Sequence, residues 1–154
     1  MVYNFNFKEL TANEVVQIKL NPQLSYLYLF WKQHPNSEQF RNAYRLGVYL
    51  ALKYNIKYWL ADAQHMTYLA GFDQSWLTTK MHPLLKSGKL IKYAIIMSPD
   101  CFLMTQHKPN SASSTEKQPA TRSDNFHLFM NEEEACSWLF KGTTYSHSYS
   151  SFIL

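Results

Sequence analysis

The sequence predicts an α/β (α+β) domain: a mixed β-sheet opened by an antiparallel hairpin, continued by β-α-β units, with helices packed on it. Three observations predict this. Segments before residue 32 alternate apolar and polar side chains with a period of two. Beyond Pro35 the apolar spacing becomes helical. Two nearly unbroken apolar runs, Ile56–Ala61 and Leu90–Met97, then each follow a helical segment, as buried parallel strands do.

The elements can be justified in order. Tyr3, Phe5 and Phe7 alternate with Asn4, Asn6 and Lys8, which reads as a half-buried strand. Val16, Ile18 and Leu20 alternate with Gln17 and Lys19 and form a second. Asn21-Pro22-Gln23 is a turn signal, and Leu24 to Trp31 is a third strand. This third strand is apolar on both faces, Tyr26/Tyr28/Phe30 and Leu27/Leu29/Trp31, so helices or a second subunit must cover it twice.

Asn36 and Gln39 form a capping box at the start of a helix. Its buried stripe is Phe40, Ala43, Tyr44, Gly47, Val48, Ala51 and Tyr54. The strand Ile56–Ala61 ends at Asp62. Asp73 is expected to cap a second helix with the stripe Trp76, Leu77, Met81, Leu84 and Leu85. Pro83 should bend that helix, and Gly88 should stop it. The strand Leu90–Met97 ends at Ser98-Pro99-Asp100, before a short helical turn at Cys101 to Met104. From Thr105 to Asn125 no aliphatic residue larger than alanine occurs, so residues 105–125 read as a mobile polar loop. Phe126, Leu128 and Met130 make a last strand. Asn131 with Glu134 caps a final helix that buries Ala135, Trp138 and Leu139 and stops at Gly142. Residues 1–142 thus form one domain, followed by a Ser- and Tyr-rich tail at 143–154.

Composition bounds the function. A chain of 154 residues that is 46% hydrophobic and only 17% charged can bury a core, which excludes wholesale disorder. Two cysteines, Cys101 and Cys136, do not make a disulfide scaffold, so a reducing compartment is expected. The formal charge of +4 is spread thinly, which argues against a nucleic-acid partner. No leader of basic then apolar residues opens the chain, and Leu27–Trp31 is too short to span a bilayer. A cytoplasmic location, with no membrane span, is the expectation.

The order of these elements resembles the STAS domain, the fold of SpoIIAA-like anti-sigma factor antagonists. More narrowly, it resembles small stand-alone SpoIIAA-like proteins of bacteria such as the Bacteroidetes. The residues that carry the resemblance are Tyr58-Trp-Leu-Ala-Asp62, Asp73-Gln-Ser-Trp-Leu77, His82-Pro83, Leu90 to Met97 with Ser98-Pro99-Asp100, and Ala135 with Trp138 and Leu139. It covers about residues 13 to 140. The resemblance implies a non-enzymatic regulatory module that binds a protein partner. The family switches partners by phosphorylating a serine just after the Asp-ended strand. Here Asp62-Ala-Gln-His-Met-Thr67 contains no serine, so the resemblance implies the fold without that switch.

Ligands of open α/β sheets bind outside the carboxyl ends of the strands. That edge should carry Asp62, Gln64, His65, Ser98 and Asp100, the candidate ligand- or partner-binding residues. Asp62 and His65 would serve as an acid/base pair or as two metal ligands; alternatively, Asp62 caps a turn and His65 is solvated. The histidines show no zinc spacing, the glycines stand alone, and no Gly-x-Ser-x-Gly elbow occurs. No cofactor and no catalytic residue is therefore expected. Cys101 and Cys136 read as small buried thiols. The aromatic stripe Tyr44, Tyr54, Tyr58, Trp59 and Trp76 lines either a pocket for an apolar ligand or the core. Three function classes follow: a protein-interaction module that binds a protein partner or itself, strand 24–31 offering the dimer surface; a carrier of a lipid-like ligand; and an enzyme using Asp62 and His65.

Overall fold

The structure is a computed structural model and describes residues 7–101 and 125–142. It has strands β1 (Lys8–Ala12), β2 (Val16–Asn21) and β3 (Tyr26–Trp31), then helix α1 (Ser37–Lys53) and β4 (Tyr58–Ala63). Helix α2 (Gly71–Ser87), strands β5 (Lys92–Met97) and β6 (Phe126–Phe129), and helix α3 (Glu132–Leu139) follow. The strands form one six-stranded sheet in the order β1-β2-β3-β4-β5-β6. β1–β2 and β2–β3 are antiparallel; β3–β4, β4–β5 and β5–β6 are parallel. The mixed sheet with a leading hairpin is the architecture expected from the sequence.

The hairpin register follows from the pattern. Val16 faces Trp31 and Leu20 faces Leu27, so the apolar sets of β2 and β3 share one face. The Asn21 side chain accepts from Leu24 N at 3.0 Å and tightens the turn, while Ser25 takes the left-handed conformation at φ 54°. β1 lies at the sheet edge, where exposed Lys8 and Glu9 and an irregular register between Glu9 and Thr11 discourage pairing with another chain. The alternation at Tyr3 and Phe5 lies outside the described residues, and the strand begins only after Phe7.

Each parallel connection advances the sheet in one direction. Right-handed crossovers then place their helices on one face. Accordingly α1 and α2 bury Phe40, Ala43, Tyr44, Leu77, Met81 and Leu84 against Leu27, Leu29, Trp31, Trp59, Ala61 and Ile95. Burying each such large apolar side chain stabilises the fold by about 1.5–3 kcal/mol. Tyr44 stacks on Trp59 with centroids 5.6 Å apart, and its hydroxyl lies 2.8 Å from that of Tyr93. A polar pair thus closes inside an aromatic core without leaving either oxygen unpaired. Gly47 permits this packing, because a Cβ there would stand 2.5 Å from the Trp59 ring.

Among the described residues, α3 is the helix that covers the opposite face. Ala135, Cys136, Leu139 and Phe140 pack on Tyr26, Leu60, Ala94 and Ile96. The doubly apolar β3 is thus covered on its Leu27/Leu29/Trp31 face by α1 and α2. On its other face Tyr26 is buried, whereas Tyr28 and Phe30 are half-buried.

Several boundaries differ from expectation. α1 has its capping box, with Asn36 accepting from Gln39 N and Gln39 accepting from Asn36 N. β4 runs through Asp62 to Ala63, because parallel pairing with β5 continues to Met97. Asp73 does not cap α2: the helix starts at Gly71, and the N-cap position is Ala70. Pro83 sits inside α2, which continues to Ser87 and ends at Gly88 in the left-handed region, φ 80°. Met130 lies beyond β6 and is 48% exposed. Residues 99–101 are helical, so the turn begins before Cys101, and Ser98 Oγ accepts from Cys101 N at 3.1 Å. The rest of that turn, nearly all of the 105–125 loop and the tail at 143–154 lie outside the described residues.

Candidate functional site

The carboxyl edge of β3, β4 and β5 carries three separate polar arrangements. The first is built on Asp62. Its carboxylate is only 4% exposed, and isolated burial of such a charge costs several kcal/mol. Among the described residues no cation pairs with it. Instead Tyr28 Oη donates to Oδ2 at 3.2 Å, the Gln64 backbone N donates to Oδ1 at 3.1 Å, and Gln64 Nε2 reaches both oxygens at 3.1 and 3.2 Å. The pairing of Phe30 with Asp62 in the β3–β4 register sets Tyr28 beside this strand end. Burial pushes the Tyr28 hydroxyl far above its usual range, and the Asp62 charge adds to the shift, so Tyr28 is held as a donor.

Glu132, the first residue of α3, belongs to the same neighbourhood. Its carboxyl is raised first by burial and then by the charge of Asp62. Deeper under α3, burial pushes the Cys136 thiol far up, and the Glu132 charge adds to the shift. Cys136 is fully buried, so it is no thiolate nucleophile at neutral pH.

The second arrangement joins the loop between β3 and α1 to the loop between β4 and α2. Thr67 N donates to His34 Nδ1 at 3.3 Å, and the Tyr68 ring lies 4.8 Å from the His34 ring. The third joins the first turns of α1 and α2. Asp73, 5% exposed, accepts from Ser37 Oγ at 2.7 Å and pairs with Arg41 Nε at 3.0 Å. Beside this buried aspartate, Phe72 is 62% exposed.

Of the residues expected at this edge, Asp62 and Gln64 come together. His65 does not join them: its ring meets Phe30 edge-on at 5.6 Å, and the Asp62 oxygens are engaged by Tyr28 and Gln64. Ser98 caps the turn after β5, and Asp100 is exposed. Spacing alone did not single out Tyr28, Glu132, His34, Ser37, Arg41 or Asp73 as functional groups. Each meets its partner across more than 30 residues of chain, with no local motif to mark it. Among the described residues no three His, Cys, Asp or Glu side chains form a group that could hold a metal ion.

The aromatic stripe belongs chiefly to the core. Between the sheet and α1/α2 lies a cavity of about 10 Å³, lined by residues including Trp31, Phe40, Tyr44, Met66, Leu77 and Cys101. That is room for about one water. No helix among the described residues is long and apolar enough to cross a membrane. Compared with protein-family models, with curated proteins and with solved structures, the chain matches none.

Proposed function

We propose that this chain is a non-enzymatic, STAS-like regulatory module that acts in the cytoplasm by binding a protein partner. The docking surface is the edge where α1 and α2 begin. The observation that carries the reading is the inverted start of α2: the charged Asp73 is buried and the aromatic Phe72 is 62% exposed. An exposed phenylalanine beside a partly buried ion pair, with Arg41 5.8 Å from its ring, is a ready anchor for an interface. Tyr68, 47% exposed, extends the apolar surface at the same edge. The Asp62 carboxylate is engaged with Tyr28 and Gln64, which favours a structural role for it. Among the described residues, the cavity between the sheet and α1/α2 has room for about one water, too little for a lipid-like ligand.

The test places a photo-crosslinking amino acid at Phe72 in the full chain, expressed in its native cells, with Thr78 on the same helix as the control position. A discrete protein adduct formed at Phe72 and not at Thr78 is the expected result. Absence of any adduct specific to Phe72 refutes the reading.

A further inference from the structure

The surface beside Phe72 also carries a charge arrangement that selects among partners. The half-buried Trp76 ring sits between α1 and α2 with three cations around it: Arg41 at 5.2 Å, Arg45 at 5.4 Å and Lys80 at 5.7 Å from its centroid. Arg41 also lies 5.8 Å from the Phe72 ring. Each contact is within the range of a cation–π attraction. The ring gathers like charges that would otherwise spread apart.

Their pairing is unequal. Arg41 is neutralised by Asp73, which is buried and out of reach of a partner. Arg45 bonds only the neutral Asn42 side chain, at 2.8 Å, and neither Arg45 nor Lys80 meets a carboxylate among the described residues. Glu38 lies one turn before Arg41 on α1 and is the acid at the end of this row. Two exposed cations thus flank the Trp76 ring, and Arg41 lies between that ring and the exposed Phe72.

We propose, building on the docking surface assigned above, that this patch binds an acidic segment of a second protein. Carboxylates of that segment meet Arg45 and Lys80, and one of its apolar side chains packs on Phe72. Arg45 offers a planar fork that matches a carboxylate in two parallel hydrogen bonds. Seating the segment exchanges cation–cation repulsion around Trp76 for neutralisation. A single nucleic-acid strand fits less well. It needs a longer row of cations along its phosphates, and this row ends in Glu38.

The probe is a fluorescein-labelled peptide of aspartates and glutamates with one central phenylalanine, titrated with the full chain and followed by anisotropy. The wild type is expected to bind it, more weakly as salt rises. The double variant Arg45→Glu/Lys80→Glu should bind about tenfold or more weakly, and Phe72→Ser about threefold or more weakly. All these positions are exposed, and unchanged circular dichroism establishes that the variants fold. No binding by the wild type, or equal binding by the charge-reversed variant, overturns the proposal. So does tighter binding of a thymidine oligonucleotide at the same patch, or a Phe72 adduct that joins two copies of this chain. A Phe72-specific adduct with another protein, together with failure of the acidic peptide, leaves the docking surface standing and removes only the acidic partner.

Discussion

Replacing Gly47 by alanine tests the packing of the core most sharply, because two effects of opposite sign meet at one methyl group. In the middle of an exposed helix, Gly→Ala stabilises by about 0.5–1 kcal/mol through backbone entropy. At Gly47 the new Cβ would stand 2.5 Å from one Trp59 ring carbon and 2.7 Å from the next. These are rigid ring atoms. Trp59 cannot retreat easily, since Tyr44 stacks on it at 5.6 Å and Tyr93 meets it edge-on at 5.8 Å. Overpacking of this kind costs about 1–3 kcal/mol. The net expectation is a loss of about 1–2 kcal/mol, and a Tm lower by about 3–6 °C for a chain of this size. Urea unfolding followed by tryptophan fluorescence should show a lower midpoint at unchanged slope. A Gly47→Ala chain as stable as the wild type, or more stable, would refute the claim that this glycine exists to admit the indole.

Two further substitutions probe the polar groups. Asp73→Ala removes the acceptor of both Ser37 and Arg41; it should cost about 2–3 kcal/mol, the partial exposure of Arg41 keeping the loss below that of a fully buried pair. Denaturant titration of Asp73→Ala, Arg41→Met and the double variant measures the coupling, and a coupling near zero would contradict the ion pair's role in joining α1 to α2. Glu132→Gln tests pH dependence. The folded chain holds the Glu132 proton to a higher pH than the unfolded chain, whose value lies near 4.5. Stability therefore falls as pH rises through that value toward the raised folded one. The glutamine variant should gain on the wild type above this window and match it below; a gain confined to acid pH would reverse the sign and disprove that burial, with the Asp62 charge, holds the carboxyl up.

Much of the fold is written in short-range pattern. β2, β3 and α1 were readable because alternation, a turn and a capping box lie within a few residues of each other. The edge strand was less so. Lys8–Ala12 carries charges that guard a sheet edge, and these obscure the alternation that betrays a strand, whereas Tyr3-Asn-Phe-Asn-Phe7 displays it loudly. The end of β4 was misplaced because a charged residue usually ends an apolar run. Asp62 instead stays inside the sheet, held by Tyr28 from a strand 34 positions away. Asp73 shows the same limit. Its type and place suggest a helix cap, yet its partners are Ser37 and Arg41 on another helix. At the candidate site, Asp62 with Gln64 was legible because they stand two residues apart at one strand end. The cation–aromatic cluster around Trp76 was not, because it draws on two helices that only the sheet brings side by side.

The strictly sequential strand order has a consequence for how the chain is made. Every strand pairs with the strand before it, so no strand must wait for a later one to be inserted between its neighbours. Loop closure therefore never spans more than one connection, which keeps its entropy cost low. A chain leaving the ribosome can close its hairpin first and then extend the sheet one strand at a time. Among the described elements α3 is the last to be made, and until it arrives Leu60, Ala94 and Ile96 lack its cover. The nascent sheet is therefore open to wrong partners for as long as residues 132–140 remain unmade.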